Sequence, residues 1–424
     1  MSGPLPLGLL PDTAAVGDDG RLSIGGCDVL ELADAHGTPL FVYDEAHLRA
    51  RCREAVAAFG DGVAYATKAF LCIAMARLAH EEGMHLDVAT LGELHVALTA
   101  GVPPERLVLH GNNKSDEELR AAREVGVGRI VVDSFDELDR LAALHAEDGV
   151  SPKVLIRVTP GVEAHTHEFV RTGQVDSKFG FGLASGDAAL AVARASDSPS
   201  VQLVGAHMHI GSQVFVADFF HEAVEVVAPW VRELGLPELS IGGGLGVAYV
   251  EGESAPSITA WATSVLEGCR DAGIEARVLA EPGRAIAAQA AITLYRVGTV
   301  KEVPGVRTYV SVDGGMSDNP RPVLYGSGYE AFLPRAADAT RPRRVTVVGK
   351  HCESGDVLVR DAQVPADLVV GDVLATPVTG AYGHSMGSSY NKVPRPAVVF
   401  VADGHAREVV RREQLDDLIR NDVR

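Results

Sequence analysis

Eight short apolar runs, each followed by a helical pattern, constrain this chain more than any other feature. They are Val63–Lys68, His85–Ala89, Leu107–His110, Arg129–Asp133, Val154–Thr159, Val204–Ile210, Leu239–Gly242 and Arg277–Glu281. Amphipathic stretches such as Ile73–Glu82, Gly92–Ala100 and Ser185–Ala195 lie between them. Two helix starts carry a capping-box pattern, Ser115 with Glu118 and Ser134 with Glu137, in which each partner satisfies the other's backbone N–H. Eight strand–helix repeats over roughly 250 residues are the mark of a (β/α)₈ barrel of the TIM type. An open doubly wound sheet is the rival, and it has fewer units.

The texture changes near residue 300. Arg307–Val312, Arg344–Val348, Asp356–Val359, Val373–Thr376 and Ala397–Val401 are short, Val-rich and separated by Gly, Pro and Asp. They read as a mostly β C-terminal domain, with a helix only in the tail at Arg412–Ile419. Leu22–Ile24 and Pro39–Tyr43 are also strand-like. The expected division is residues 1–40 joining the β domain, 41–300 forming the barrel, and 301–424 forming the β domain. At 424 residues the chain exceeds one ordinary core, which fits two domains.

The formal net charge of −19 argues against nucleic-acid binding, because phosphate backbones reward a basic surface. Cys27, Cys52, Cys72, Cys269 and Cys352 form no CxxC pair, so free thiols in a reducing compartment are expected. The first 20 residues lack the basic and apolar regions of a signal peptide. No run of 18 apolar residues occurs, so no membrane span is expected. A cytoplasmic location follows.

Candidate chemistry gathers at the ends of the runs, where barrel enzymes place their sites. Lys68 ends VAYATKAF. Its apolar neighbours would desolvate the amine and favour the neutral form that builds a Schiff base. The plain alternative is a lysine stem snorkelling at a strand end. IGGGLG (Ile241–Gly246) and AEPGR (Ala280–Arg284) follow runs seven and eight, the usual place for a phosphate site in such barrels. Glycines admit an anion to the backbone, and Arg284 adds a charge-assisted bond; alone, GGGLG is just a turn. Glu281 could face a pyridine nitrogen and keep it protonated, or simply pair with Arg284. His207 and His209 alternate in AHMHIGSQ and share one face. An imidazole there could stack on a flat ring. The pair could suggest a metal, but no third ligand is evident, so none is expected.

Beyond residue 300, GKHCESGD sets Cys352 beside Glu353. A thiol can donate a proton, or it can be an ordinary small buried residue. Arg321 and Tyr325, four apart in DGGMSDNPRPVLYG, suit a carboxylate, though such pairs are common on surfaces. Tyr382 follows the flexible Gly380 in TGAYGHS.

Together, YATKAF, HGNNKSDEEL, GVEAHTHEFVRTG, KFGFG, HIGSQ, GGGLG, EPGRAIA, SVDGGMSDN, LYG, VGKHCESGD and TGAY resemble, in order, the actinobacterial type of meso-diaminopimelate decarboxylases. These are fold-type III enzymes that use pyridoxal 5'-phosphate, with an alanine-racemase-like barrel. The resemblance covers nearly the whole chain. It implies that Lys68 carries the cofactor, that His209 stacks on its ring and that Glu281 meets its ring nitrogen. Gly244, Gly283, Arg284 and Tyr382 would bind the phosphate or its surroundings, with Ser212 assisting. Cys352 would donate a proton from the other subunit of a homodimer, and Glu353 would bind the substrate's distal ammonium. Arg284, Arg321, Tyr325 and Tyr382 would hold the distal carboxylate. The implied reaction is decarboxylation of meso-2,6-diaminopimelate to L-lysine at the D-configured centre.

Three places depart from the family's pattern: Leu91 before Gly92, the Ser327–Tyr329 stretch where many members carry Ala and His, and the 383–388 stretch. They bear on the pocket edge and so on substrate choice. Other readings are a decarboxylase for ornithine, arginine or a carrier-bound amino acid, an amino-acid racemase, and a non-enzymatic cofactor carrier. A racemase needs a second base where the resemblance puts Cys352. Cofactor-carrying barrels lack the second domain that holds Cys352 and Tyr382.

Overall fold

In a computed structural model, residues 3–161, 177–216 and 218–423 are described. Most of GVEAHTHEFVRTG, from Val162 on, lies outside them. The chain divides into two compact units. One comprises Arg51–Val247 and Ala255–Ala285; the other comprises Met1–Ala50, Ala248–Ser254 and Ile286–Arg424.

In the Arg51–Ala285 unit, each of the eight apolar runs contains or overlaps a strand. These are β1 (Ala64–Ala66), β2 (His85–Val88), β3 (Leu107–Leu109), β4 (Arg129–Val132), β5 (Lys153–Thr159), β6 (Gln202–Met208), β7 (Glu238–Ser240) and β8 (Arg277–Leu279). Each pairs in parallel with the next. The ring closes through Ala64 N–H to Ala280 O at 2.9 Å and Ala66 N–H to Pro282 O at 3.2 Å. The strands are buried on both faces: all of β2 and β3, and six consecutive residues of β5. That double burial is why they read as unbroken apolar runs rather than as alternation.

Helices Ile73–Glu81, Leu91–Thr99, Asp116–Val125, Phe135–Asp148, Asp187–Asp197, Asp218–Leu234 and Ile258–Asp271 connect consecutive strands. Thr90, Ser115, Ser134 and Ser257 each accept a first-turn N–H, a cap that stabilises by about 1 kcal/mol. Leu91 is the first residue of its helix and half-buried. Ser115 and Glu118 form the reciprocal box. Ser134 and Glu137 form only half of it. Glu137 Oε1 instead meets Lys114 Nζ at 2.8 Å, with both side chains 1% exposed. A buried ammonium needs its counter-charge more than a backbone N–H needs a cap.

The other unit holds an eight-stranded sheet. Leu40–Asp44 lies inside it, antiparallel to Ala291–Val303 and parallel to Ala397–Ala402. Ala291–Val303 also pairs with Arg307–Val312 and Val373–Pro377. Arg343–Val348, Val357–Val364 and His405–Val410 complete the sheet. Leu22–Ile24 belongs to a separate three-stranded sheet. The tail differs from expectation: only Leu415–Ile419 is helical, as a 3₁₀ turn. Two of its apolar side chains are left exposed, Leu415 at 74% and Ile419 at 43%.

Candidate active site

The C-terminal ends of the barrel strands bring the candidate residues of this unit together. Lys68 sits two residues past β1, in the turn Thr67–Ala69. Thr67 pins that turn to β2 by donating its hydroxyl to Asp87 O at 2.6 Å. Thr67, Ala69 and Phe70 are buried while Lys68 is exposed. This corrects the expectation of an amine desolvated by apolar neighbours. The turn carries those neighbours inward and lifts the lysine past the strand end.

Glu281 lies two residues past β8. Ser240 Oγ donates to its Oε1 at 2.6 Å, and His207 Nε2 meets its Oε2 at 3.0 Å. Arg284 bonds Ser212 Oγ instead, at 2.9 Å. His110, just past β3, points Nε2 between two carboxylates, 3.7 Å from Glu281 and 3.4 Å from Asp87. His207 therefore belongs to a group with His110 and Glu281 whose ligand atoms lie within 4.8 Å of one another, a cluster the histidine spacing alone does not reveal.

Two buried carboxyls this close cannot both ionise cheaply. Burial pushes Asp87 well above the usual range, and the Glu281 charge adds to that. Burial also opposes ionisation of Glu281. The imidazoles of His207 and His110, with the bonds from His207 and Ser240, outweigh it and hold Glu281 well below the usual range. Glu281 is thus the carboxyl of the pair that ionises first, and Asp87 holds its proton more tightly. Burial drops His110 to about 4 and also lowers His207. His209 falls well below the ordinary value through burial, then through the charges of Lys68 and Arg157. His209 Nδ1 accepts Gly243 N–H at 3.1 Å. The proton of the neutral ring therefore sits on Nε2.

The glycines are sterically required. A Cβ on Gly243 would lie 2.3 Å from Glu281 O, and one on Gly244 would lie 2.4 Å from Gly211 O at a φ of +111°. A Cβ on Gly283 would lie 2.9 Å from that of Ala66. Arg157, on β5, reaches Asp133 at 3.5 Å. Lys114 also donates to Gly111 O and Val131 O. Sequence reasoning overlooks Asp87, His110, Arg157 and Lys114. The signal was present, since the first three lie within marked runs, at or near their C-terminal ends, and Lys114 lies in HGNNKS.

The remaining candidates belong to the other unit. Arg321, 5% exposed, opens the short helix Arg321–Tyr325. Its guanidinium lies 4.7 Å from the Tyr249 ring centre, 5.9 Å from that of Tyr325 and 6.0 Å from that of Tyr382. Tyr382 holds a left-handed φ of 60°. One of the departures, the Ser327–Tyr329 stretch, lies here. Ser327 Oγ accepts from Arg321 at 3.0 Å, and the Tyr329 ring packs edge-on against Tyr249 at 5.2 Å. Cys352 and Glu353 occupy a different loop and are both exposed. Cys27, Cys52, Cys72 and Cys269 are buried free thiols. Among the described residues, no helix is long and apolar enough to cross a membrane.

The donor set at the barrel mouth suits pyridoxal phosphate: an exposed primary amine for its aldehyde, a buried carboxylate anion for its ring nitrogen and a neutral flat imidazole for its ring face. The glycine turns, which exclude any Cβ, and the Ser212–Arg284 pair suit its phosphate.

Residues 45–288 match the family "pyridoxal-dependent decarboxylase, pyridoxal binding domain". The chain is 49% identical to a diaminopimelate decarboxylase of Mycobacterium tuberculosis, over 96% of this chain and 95% of the relative. It is 45% identical to that of Bacillus subtilis, over 98% of each. The crystal structure of the M. jannaschii diaminopimelate decarboxylase with L-lysine superposes with a TM-score of 0.90, at 33% identity over 97% of this chain and 98% of that one. The chain belongs to the pyridoxal-dependent decarboxylases and, among them, to the diaminopimelate decarboxylase family.

Proposed function

We propose that this enzyme converts meso-2,6-diaminopimelate to L-lysine and CO₂, with Lys68 as the attachment point of pyridoxal phosphate. The observation that carries the reading is Glu281, held by Ser240 and His207 with His110 between it and Asp87, at the same barrel mouth as the exposed Lys68. Bound pyridoxal phosphate supplies an electron sink for the pair left behind when CO₂ departs.

The chain's own residues do the rest. Glu281 presents a fixed negative charge to the ring nitrogen, and His209 covers the ring face as a neutral imidazole. Gly244, Gly283, Ser212, Arg284 and Tyr382 hold the phosphate and its surroundings. Arg321, charged and aligned by tyrosines, binds the distal carboxylate with Tyr325, Tyr382 and Arg284. Glu353 takes the distal ammonium, and the Cys352 thiol delivers a proton to Cα. A homodimer in which Cys352 and Glu353 serve the partner's site fits their exposure. Five free thiols suit a reducing compartment such as the cytoplasm.

Incubating the purified holoenzyme with meso-diaminopimelate should yield lysine and CO₂ in equal amounts. Arg321→Ala should reduce that turnover by roughly 10²-fold while cofactor binding persists, since a charged contact to substrate is lost. No lysine, or racemised diaminopimelate without CO₂, would reject the reading.

A further inference from the structure

The loop that carries Cys352 is held from two sides by residues the reaction itself does not use. Asp356, 3% exposed, ends that loop. Its Oδ2 accepts His351 N–H at 2.9 Å, and its Oδ1 accepts Met316 N–H at 2.7 Å. One carboxylate therefore ties the Cys352 loop to the DGGMSDN segment. Lys350 N–H to Gly314 O at 2.9 Å joins the same two segments. The join is tight enough to dictate sequence: a Cβ on Gly315 would come within 2.6 Å of the Asp356 carboxylate, and one on Gly349 within 2.2 Å. His351 is fixed as well, with Nε2 2.8 Å from Ser317 Oγ.

Asn391 acts from the outer side. Its Oδ1 accepts the backbone N–H of Cys352 itself, at 3.1 Å. Asn391 is exposed and has a left-handed φ of 51°, which Asn tolerates better than most residues. Within the loop, Glu353 N–H bonds His351 O at 2.8 Å and Asp356 N–H bonds Glu353 O at 3.1 Å. The exposed thiol thus rides on a backbone with its N–H groups on either side engaged.

We propose that Asp356 and Asn391 are positioning residues that fix the Cys352 backbone and so aim its thiol for proton delivery. The inference rests on the reading of Cys352 as proton donor. A misplacement of about 1 Å can cost on the order of 10²-fold in rate, so the hold has kinetic weight even though neither residue touches substrate.

The test uses holoenzyme turning over meso-diaminopimelate, with kcat, KM and bound-cofactor absorbance measured separately. Asn391→Gly tolerates the left-handed backbone and removes only the acceptor. It should lower kcat roughly tenfold with KM and cofactor absorbance unchanged. Asn391→Asp, which keeps an acceptor oxygen, should recover most of the rate. Asp356→Asn, which replaces one acceptor by a donor, should lower kcat by about 10² with the same signature. If it fails to fold, the two Asn391 variants decide alone. Wild-type kcat in Asn391→Gly, or an Asn391→Asp no better than it, would overturn the proposal. Cys352→Ala separates the two levels: full activity there would defeat the role of Cys352 itself, whereas an inactive Cys352→Ala beside an unaffected Asn391→Gly would defeat only the positioning.

Discussion

The two ends of the barrel treat charge in opposite ways. At the N-terminal end, Glu238 opens β7 and accepts from Arg129 at 2.5 and 2.6 Å and from Arg277 at 2.5 Å. Asp61 lies 3.3 Å from His85, 3.6 Å from Arg106 and 3.8 Å from Arg277. There, carboxylates face cations, and burial of Glu238 is more than offset by its arginines, which lower its pKa. At the C-terminal end, Asp87 and Glu281 share one histidine between them, and their pKa values are driven apart, Asp87 up and Glu281 down. The same strands run from an end whose charges are neutralised to an end whose charges are held off balance. Off-balance titratable groups are what chemistry requires and what stability avoids.

Lys68→Ala should break the active end outright, with kcat falling on the order of 10⁴-fold or more; steady-state turnover measures it. Glu281→Gln removes the anion but keeps the shape. It should cost about 10²–10³-fold in kcat, the scale of losing one preorganised electrostatic partner, with the cofactor still bound by stoichiometric assay.

Glu238→Gln tests the other end. It should destabilise the fold by about 2 kcal/mol at neutral pH, read by denaturant unfolding, with kcat unchanged. The sign of its pH dependence follows from the lowered pKa. The stabilisation is present above the unfolded glutamate value, about 4.3, and disappears as pH falls below it. Wild type and variant should therefore converge in acid.

The smallest effect should come from Asp87→Asn. An amide mimics the protonated acid, so kcat should change by less than about fivefold. A loss as large as that of Glu281→Gln would mean that the charge sits on Asp87 instead.

The barrel and part of its active end were legible in the sequence, whereas the ion pairs of the opposite end were not. Strands buried on both faces must be apolar throughout, so the eight runs announce the barrel. Lys68 and Glu281 are readable because they end apolar runs, where barrel enzymes place their sites, and Arg284 because it follows in a glycine turn after the eighth run. Asp87, His110 and Glu281 were not readable as one group, since Asp87 and His110 come from β2 and the end of β3 while Glu281 follows β8, and only ring closure brings it to them. Glu137 looked like a capping residue because its partner, Lys114, is buried by tertiary contacts. Ala291–Val303 was missed because its second half is largely exposed and breaks the apolar pattern. Leu415–Ile419 looked more helical than it is because an apolar period promises a helix only where something covers it.

Borohydride reduction of the holoenzyme, followed by peptide mass spectrometry, tests the central claim most directly. Lys68 should be the one residue that carries the reduced pyridoxal phosphate adduct. An unmodified Lys68, with the adduct on another lysine or on none, would contradict the assignment of the barrel's C-terminal end as the active one.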